Sequence, residues 1–212
     1  MSAPQLEVFD CEQGTPEWYA CRLGIPTASE FGTLLMKGRD GKSDSKTRRK
    51  YLLQIAGERI TGTLAESYTN PHMERGKEME AEARDLYAFE THCDPQRVGF
   101  LRRGRCGASP DSLVGGDGLL EIKTKLPHLQ LEVLLARVCP PEHYDQVQGQ
   151  LLVSGRKWCD FVSYWPRMPL FRIRVERDET YIAALLAGID KFNREVDEVL
   201  AKLGGDGLKA AA

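Results

Sequence analysis

The stretch SPDSLVGGDGLLEIK, residues 109–123, sets two acids and a lysine inside segments that otherwise read as buried strand. Its period-two pattern predicts strands over 107–114 and 119–124, joined through Gly115-Gly116-Asp117-Gly118. Side chains alternate across a strand, so Leu119, Glu121 and Lys123 share one face and Leu120, Ile122 and Thr124 the other. Asp111, on the partner strand, faces Glu121 from the same side only across an odd-length loop or a bulge. The glycines at 115, 116 and 118 supply either at low strain.

Two carboxylates that close repel each other, and in a half-buried site they stay ionised only with a cation between them. Hard oxygen ligands suit Mg²⁺, or Mn²⁺ in its place, ions that keep waters and also take phosphate oxygens. A lysine beside such an ion can orient or deprotonate a bound water and offset charge on a phosphorane-like transition state. That is a device for cutting a phosphodiester. A bare E-x-K reads more simply as an exposed ion pair, with Asp111 as a turn residue. The upstream Pro110-Asp111, the glycine hairpin and the apolar setting of the acids favour the site.

The surroundings fit one globular unit. The chain has 212 residues, 42% apolar and 28% charged, enough for a real core. No apolar run reaches the length of a membrane span, and MSAPQLEVFD lacks the basic and apolar regions of a secretory signal. A cytoplasmic protein with no membrane contact is expected. Six cysteines, none in a C-x-x-C pair, read as scattered reduced thiols. The net charge is −2, yet the cations are segregated. Residues 37–50 hold seven cations against two acids, and 97–105 hold four cations and no acid. Such clustering suits a bound polyanion, or a solvated loop and strand edge.

The N-terminal part, 1–95, reads as helical. Thr15 caps a helix that has Pro16 at its first position. A second helix starts at Thr27 or Ser29 and stops at Gly38. A third covers 46–60, with Tyr51, Leu52, Ile55 and Ile60 on its apolar side. A fourth covers 73–91, with Met79, Ala83, Leu86 and Tyr87 on one face. The sheet core, 96–176, adds strands at 97–105, 158–165 and 170–175 and helices at 129–137 and 142–154. A long helix capped by Asp178 runs to about 203, and the tail 204–212 frays. The expected fold is α/β (α+β): a mixed sheet of about five strands flanked by helices, in one domain.

Pro110-Asp111 with Glu121-Ile122-Lys123 matches the P-D…(D/E)-x-K signature of restriction-endonuclease-like nucleases. Together with GTPEWYACRLGIPTASEF, RGKEMEAEARDLY and YDQVQGQLLVSGRKWCDFVSYWPRM, in that order, the chain resembles the lambda-exonuclease and viral-recombinase (YqaJ-type) family of that superfamily. The resemblance implies a Mg²⁺-dependent 5′-to-3′ exonuclease of linear double-stranded DNA, with two ions per site. It implies Asp111, Glu121, the Ile122 carbonyl and Glu80 as metal ligands. Lys123 activates water and Gln146 orients it. Arg22 and Ser29 grip a 5′-phosphate, with Ser109 joining them. Tyr144 or His143 contacts DNA. The family also implies a ring of three subunits, a single-strand-annealing partner and a phage or prophage origin. By local chemistry alone, Glu80 reads as part of a solvated helix face, Arg22 as an exposed arginine and Ser29 as a cap. Trp18, Trp158 and Trp165 read as core.

Overall fold

The computed structural model describes residues 4–41, 43–64 and 71–206, except for the side chains of 71–75, 77, 205 and 206. Lys42 of the basic segment and the tail from 207 lie outside them. In chain order the elements are β1 (Leu6–Phe9), α1 (Pro16–Arg22), a 3-10 turn (Ala28–Glu30), α2 (Phe31–Leu35), α3 (Lys46–Thr61) and α4 (Pro71–Thr91). There follow β2 (Pro95–Gln96), β3 (Phe100–Arg103), β4 (Cys106–Ala108), β5 (Ser112–Val114) and β6 (Gly118–Thr124). The remainder is α5 (Pro127–Ala136), α6 (Pro141–Ser154), β7 (Trp158–Tyr164), β8 (Phe171–Glu176) and α7 (Glu179–Asp206).

The main sheet has the order β2-β5-β6-β7-β8. Its one parallel pair, β6 with β7, needs the crossover that α5 and α6 provide. A smaller sheet, β1-β3-β4, stands apart. The expected mixed α/β architecture is therefore observed. The expected strand at 107–114 is not one strand. Pro110, which has no N–H to give a ladder, lies at the break between β4 in the small sheet and β5 in the large one.

Two apolar layers clasp β6. Leu119 joins a cluster with Phe161, Val147, Leu151, Ile189 and Phe192. Leu120 and Ile122, on the other face, join Ala83 and Tyr87 of α4. Helix starts follow local chemistry: Thr15 accepts from Trp18 N–H and Ser45 from Arg48 N–H. Ile60 and Leu86, expected to be inward, are 38% and 37% exposed. Ala56 is buried on the third helix instead, and on the fourth the expected Ala83 and Tyr87 are fully buried. The helix expected from 27 or 29 to 38 is broken at Glu30 (φ −113°) into the 3-10 turn and α2, and it ends at Leu35, ahead of the Lys37–Asp44 bridge. The last helix extends past 203 to Asp206. Among the described residues no helix is long and apolar enough to cross a membrane.

The β5–β6 hairpin pairs Val114 with Gly118, which leaves Gly115, Gly116 and Asp117 as the loop. Gly115 has φ +52°, a left-handed conformation suited to glycine. A Cβ on Gly118 would stand 2.1 Å from the Trp158 ring. Arg156 Nη1 donates to the carbonyls of Gly115 and Gly118 at 2.8 and 2.7 Å and so staples the turn.

Phe192 of α7 has no exposed surface and belongs to the larger cluster. Phe192→Ala should destabilise the protein by about 3–5 kcal/mol, read as a lower denaturant midpoint with unchanged slope. Gly115→Ala should cost about 1 kcal/mol, because its φ is positive and nothing crowds the site.

Candidate active site

The hairpin register sets the site. Ser112 faces Leu120, so the next residue, Asp111, comes opposite Glu121. Asp111 N–H donates to the Leu120 carbonyl at 3.1 Å, and Ile122 N–H donates to Asp111 Oδ2 at 2.5 Å. The three-residue loop is the odd-length connection that the sequence demanded. Ile122 itself buries its side chain toward α4.

Glu121 is 2% exposed, and both its oxygens are occupied. Oε1 accepts from Gln146 Nε2 at 2.6 Å and meets Lys123 Nζ at 2.6 Å. Oε2 accepts from Gln150 Nε2 at 2.5 Å. Gln146 and Gln150 stand one turn apart on α6 and therefore share a face. Gln148, between them, turns away to the Glu176 carbonyl at 2.8 Å and Asp178 N–H at 3.0 Å. Gln150 is a site residue that sequence reasoning passed over. Its i,i+4 spacing from Gln146 was the available signal. Its Oε1 is buried without a hydrogen-bond partner.

The charge balance is negative. Burial, then the charges of Glu121 and Glu80, push the Asp111 carboxyl well above its ordinary range; Lys123 and the Ile122 N–H only partly oppose them. For Lys123, burial lowers the ammonium, but Glu121 and Asp111 outweigh it and the net shift is upward. Among the described residues no three His, Cys, Asp or Glu side chains form a ready-made metal cage. The donor set nevertheless fits a hard divalent cation: two facing carboxylates, a third acid close enough to act on Asp111, and surplus negative charge. The third acid, Glu80, is ion-paired to Arg84 one turn along α4. Glu78 and Glu82 are exposed, as their helical spacing required.

A cavity of about 210 Å³ joins these groups to a second set. Asp111, Glu121, Lys123, Gln146 and Gln150 line it together with Arg22, Thr27, Ser29, Ser109, Trp18 and Gln13. The Arg22 guanidinium lies 4.0 Å from the Trp18 ring centroid and donates to Thr27 Oγ1 at 3.4 Å. The Thr27 and Ser29 hydroxyls are 3.3 Å apart. Trp18 Nε1 donates to Ser109 Oγ at 2.8 Å. Burial draws the Arg22 guanidinium below its ordinary value, so an anion there would meet a poorly solvated cation. Trp18, expected in the core, is half-buried and holds two of these residues in place.

Some expected residues lie elsewhere. Tyr144 does not reach the cavity: its hydroxyl donates to Asp178 Oδ2 at 3.3 Å and its ring packs edge-on against Tyr181. His143 stacks on Phe161 with Nε2 buried, and burial lowers its pKa to about 4. The basic segments are also thinner than their composition suggested. Arg48 is 2% exposed and bound to Leu34 O, Asp44 and Glu195. Arg103 donates to the Val153 and Ser154 carbonyls, and Arg105 pairs with Asp197. Lys37, Arg39, Lys46, Arg49 and Lys50 remain exposed.

Comparison with known proteins finds the same fold among solved exonucleases. The crystal structure of an alkaline exonuclease from Laribacter hongkongensis, LHK-Exo, superposes with a TM-score of 0.83 at 35% identity. The match covers 93% of this chain and 100% of that one, and LHK-Exo in complex with dAMP gives the same figures. A phage-related exonuclease from Haemophilus somnus 129PT shares the fold, with a TM-score of 0.65 at 13% identity over 84% of this chain and 96% of that one. Among curated proteins none matches. The profile of the YqaJ-like viral recombinase domain matches residues 17–157, a span that runs from α1 through α6 and includes every wall residue named above except Gln13. The chain belongs to the YqaJ-like viral recombinase family.

Proposed function

We propose that the chain is a metal-dependent exonuclease that digests one strand of linear double-stranded DNA from a 5′-phosphorylated end. It releases mononucleotides and leaves 3′ single-stranded tails for recombination by strand annealing. Family membership supports the coarser statement, a nuclease acting on DNA. The finer reading rests on one observation: acids with a lysine, and a guanidinium with hydroxyls, line a single small cavity. The planar fork of Arg22 suits a terminal phosphate. A strand end seated there brings a nearby linkage to Asp111 and Glu121, which supports removal of one nucleotide at a time. That LHK-Exo was solved with dAMP supports the same product class.

Asp111, Glu121, Glu80 and the Ile122 carbonyl would hold Mg²⁺, or Mn²⁺ in its place, as two ions. When bound, such ions act as Lewis acids toward phosphoryl oxygens and lower the pKa of water. The chain's own residues do the rest. Lys123, an ammonium against Glu121 at 2.6 Å, orients the attacking water and offsets charge developing on the phosphate. Gln146 and Gln150 hold the Glu121 carboxylate, and Gln146 orients the water by accepting a hydrogen bond through its carboxamide oxygen. Arg22, Ser29 and Ser109 hold the end. The exposed cations of 37–50 follow the duplex backbone, with salt-dependent affinity. We also read the whole chain as one nuclease domain, working in the cytoplasm of a bacterial host, with a phage or prophage origin. It assembles as a three-subunit ring and works with a single-strand-annealing partner. The exposed Leu131, Leu135 and Val138 near α5 support a surface covered in an assembly.

Acid-soluble nucleotide release from linear duplex with Mg²⁺, and its loss with EDTA, tests the activity directly; release undiminished by EDTA would refute the metal requirement. Lys123→Ala should slow cleavage by about 10²–10⁴-fold while DNA binding, followed by fluorescence anisotropy, is retained. Wild type should prefer 5′-phosphoryl over 5′-hydroxyl duplex ends, and Arg22→Gln should erase that preference, measured with each strand end-labelled in turn.

A further inference from the structure

Arg84 lies outside the cavity and outside every role assigned above, yet it is 9% exposed and engaged through Nε and Nη2. Its Nη2 is ion-paired to Glu80 Oε1. Its Nε donates to Ser112 Oγ at 3.0 Å. The Ser112 hydroxyl, with no exposed surface, donates in turn to the Asp111 carbonyl at 2.6 Å. One guanidinium therefore connects the acid on α4 to the strand end that carries Asp111.

We propose that Arg84 is the positioning residue of the metal site, fixing the Glu80 carboxylate relative to Asp111 through Ser112. The proposal rests on the metal-dependent reading given above. Three observations carry it. First, Glu80 and Asp111 come from different elements, α4 and the start of β5, and Glu80 acts electrostatically on Asp111. Some contact must set their separation. Second, α4 already packs on β6 through Ala83 and Tyr87, so an arginine is not needed to dock the helix. A buried cation carries a desolvation penalty and is weak evidence of stability by itself. Third, Nε and Nη2 lie on one edge of a planar fork. Two acceptors on that edge are held at a separation dictated by the guanidinium, which a lysine cannot do. The chemistry is that of a partner that orients a metal ligand from behind. The rival reading is that Arg84 competes with the cation for Glu80. It predicts the opposite sign.

The test is Mn²⁺ binding without DNA, by calorimetry and by electron paramagnetic resonance of the free ion, for wild type, R84A, R84K, S112A, E80Q and the double variant E80Q/R84A. Thermal melting monitors the fold. R84A and R84K should weaken Mn²⁺ binding by roughly ten- to a hundredfold. S112A should weaken it less, in the same direction. In the E80Q background R84A should have no further effect. Unchanged or tighter binding in R84A, or an undiminished R84A effect when Glu80 is already gone, overturns the proposal. If R84A does not fold, R84K and S112A decide, and wild-type binding in both overturns it. Wild type that binds no Mn²⁺ overturns the metal reading itself and the proposal with it. Binding that R84A leaves intact overturns the proposal alone.

Discussion

The arrangement depends on the parity of one loop. Three residues between Val114 and Gly118 place Asp111 across from Glu121; two or four would turn it to the α4 face. A one-residue slip in a strand moves every side chain to the opposite side. The register is accordingly held from several directions: the left-handed Gly115, the close fit of Gly118 under Trp158, the Arg156 staple, and the Ile122 N–H on Asp111. These contacts are local and small. Together they decide which side of the sheet receives the acids.

Having been placed there, the acids need compensation. A carboxylate 2% exposed is unfavourable in an apolar layer unless it is paired and hydrogen-bonded. Glu121 receives Gln146, Gln150 and Lys123, so it needs only side chains of α6 and its own strand. Asp111 is less well served, with one backbone N–H and the field of Lys123 against burial and two neighbouring acids. The imbalance falls on Asp111, which lines the cavity beside Glu121. The second set of polar groups, around Arg22, is organised by Trp18, which stacks under the guanidinium and donates to Ser109. A tryptophan with an apolar face and one N–H does both tasks.

Much of this was legible in the sequence because alternation and loop parity are local rules. Glu121 and Lys123 could be placed on one face from alternation alone, and Asp111 with them on condition of an odd-length loop or a bulge. The signal faded where partners are distant. The spacing of Gln150 puts it on the face of Gln146 but does not say that the crossover brings that face to Glu121, and nothing near Arg48 or Arg103 says that a basic run will spend its cations on carbonyls and acids elsewhere in the chain. Pro110 belongs to a signature and also breaks a ladder, which splits 107–114 between two sheets. Strands of two to four residues, such as β1 and β2, carry too few alternations to stand out. Tyr144 was placed by resemblance rather than by physics; its partners, Asp178 and Tyr181, lie at the start of the last helix.

The parallel β6–β7 pairing has a consequence for how the protein is born. Asp111, Glu121 and Lys123 all precede the α5–α6 crossover, whereas the two glutamines that quiet Glu121 arrive on α6, and β7 comes after it. A chain stopped after β6 would hold the acids without their amide partners and with one whole edge of β6 unpaired. Competence therefore comes late in synthesis, when a non-local closure is made at its entropic cost. A chain of this design lacks the amide partners of Glu121, and the second neighbour of β6, until most of it has been made.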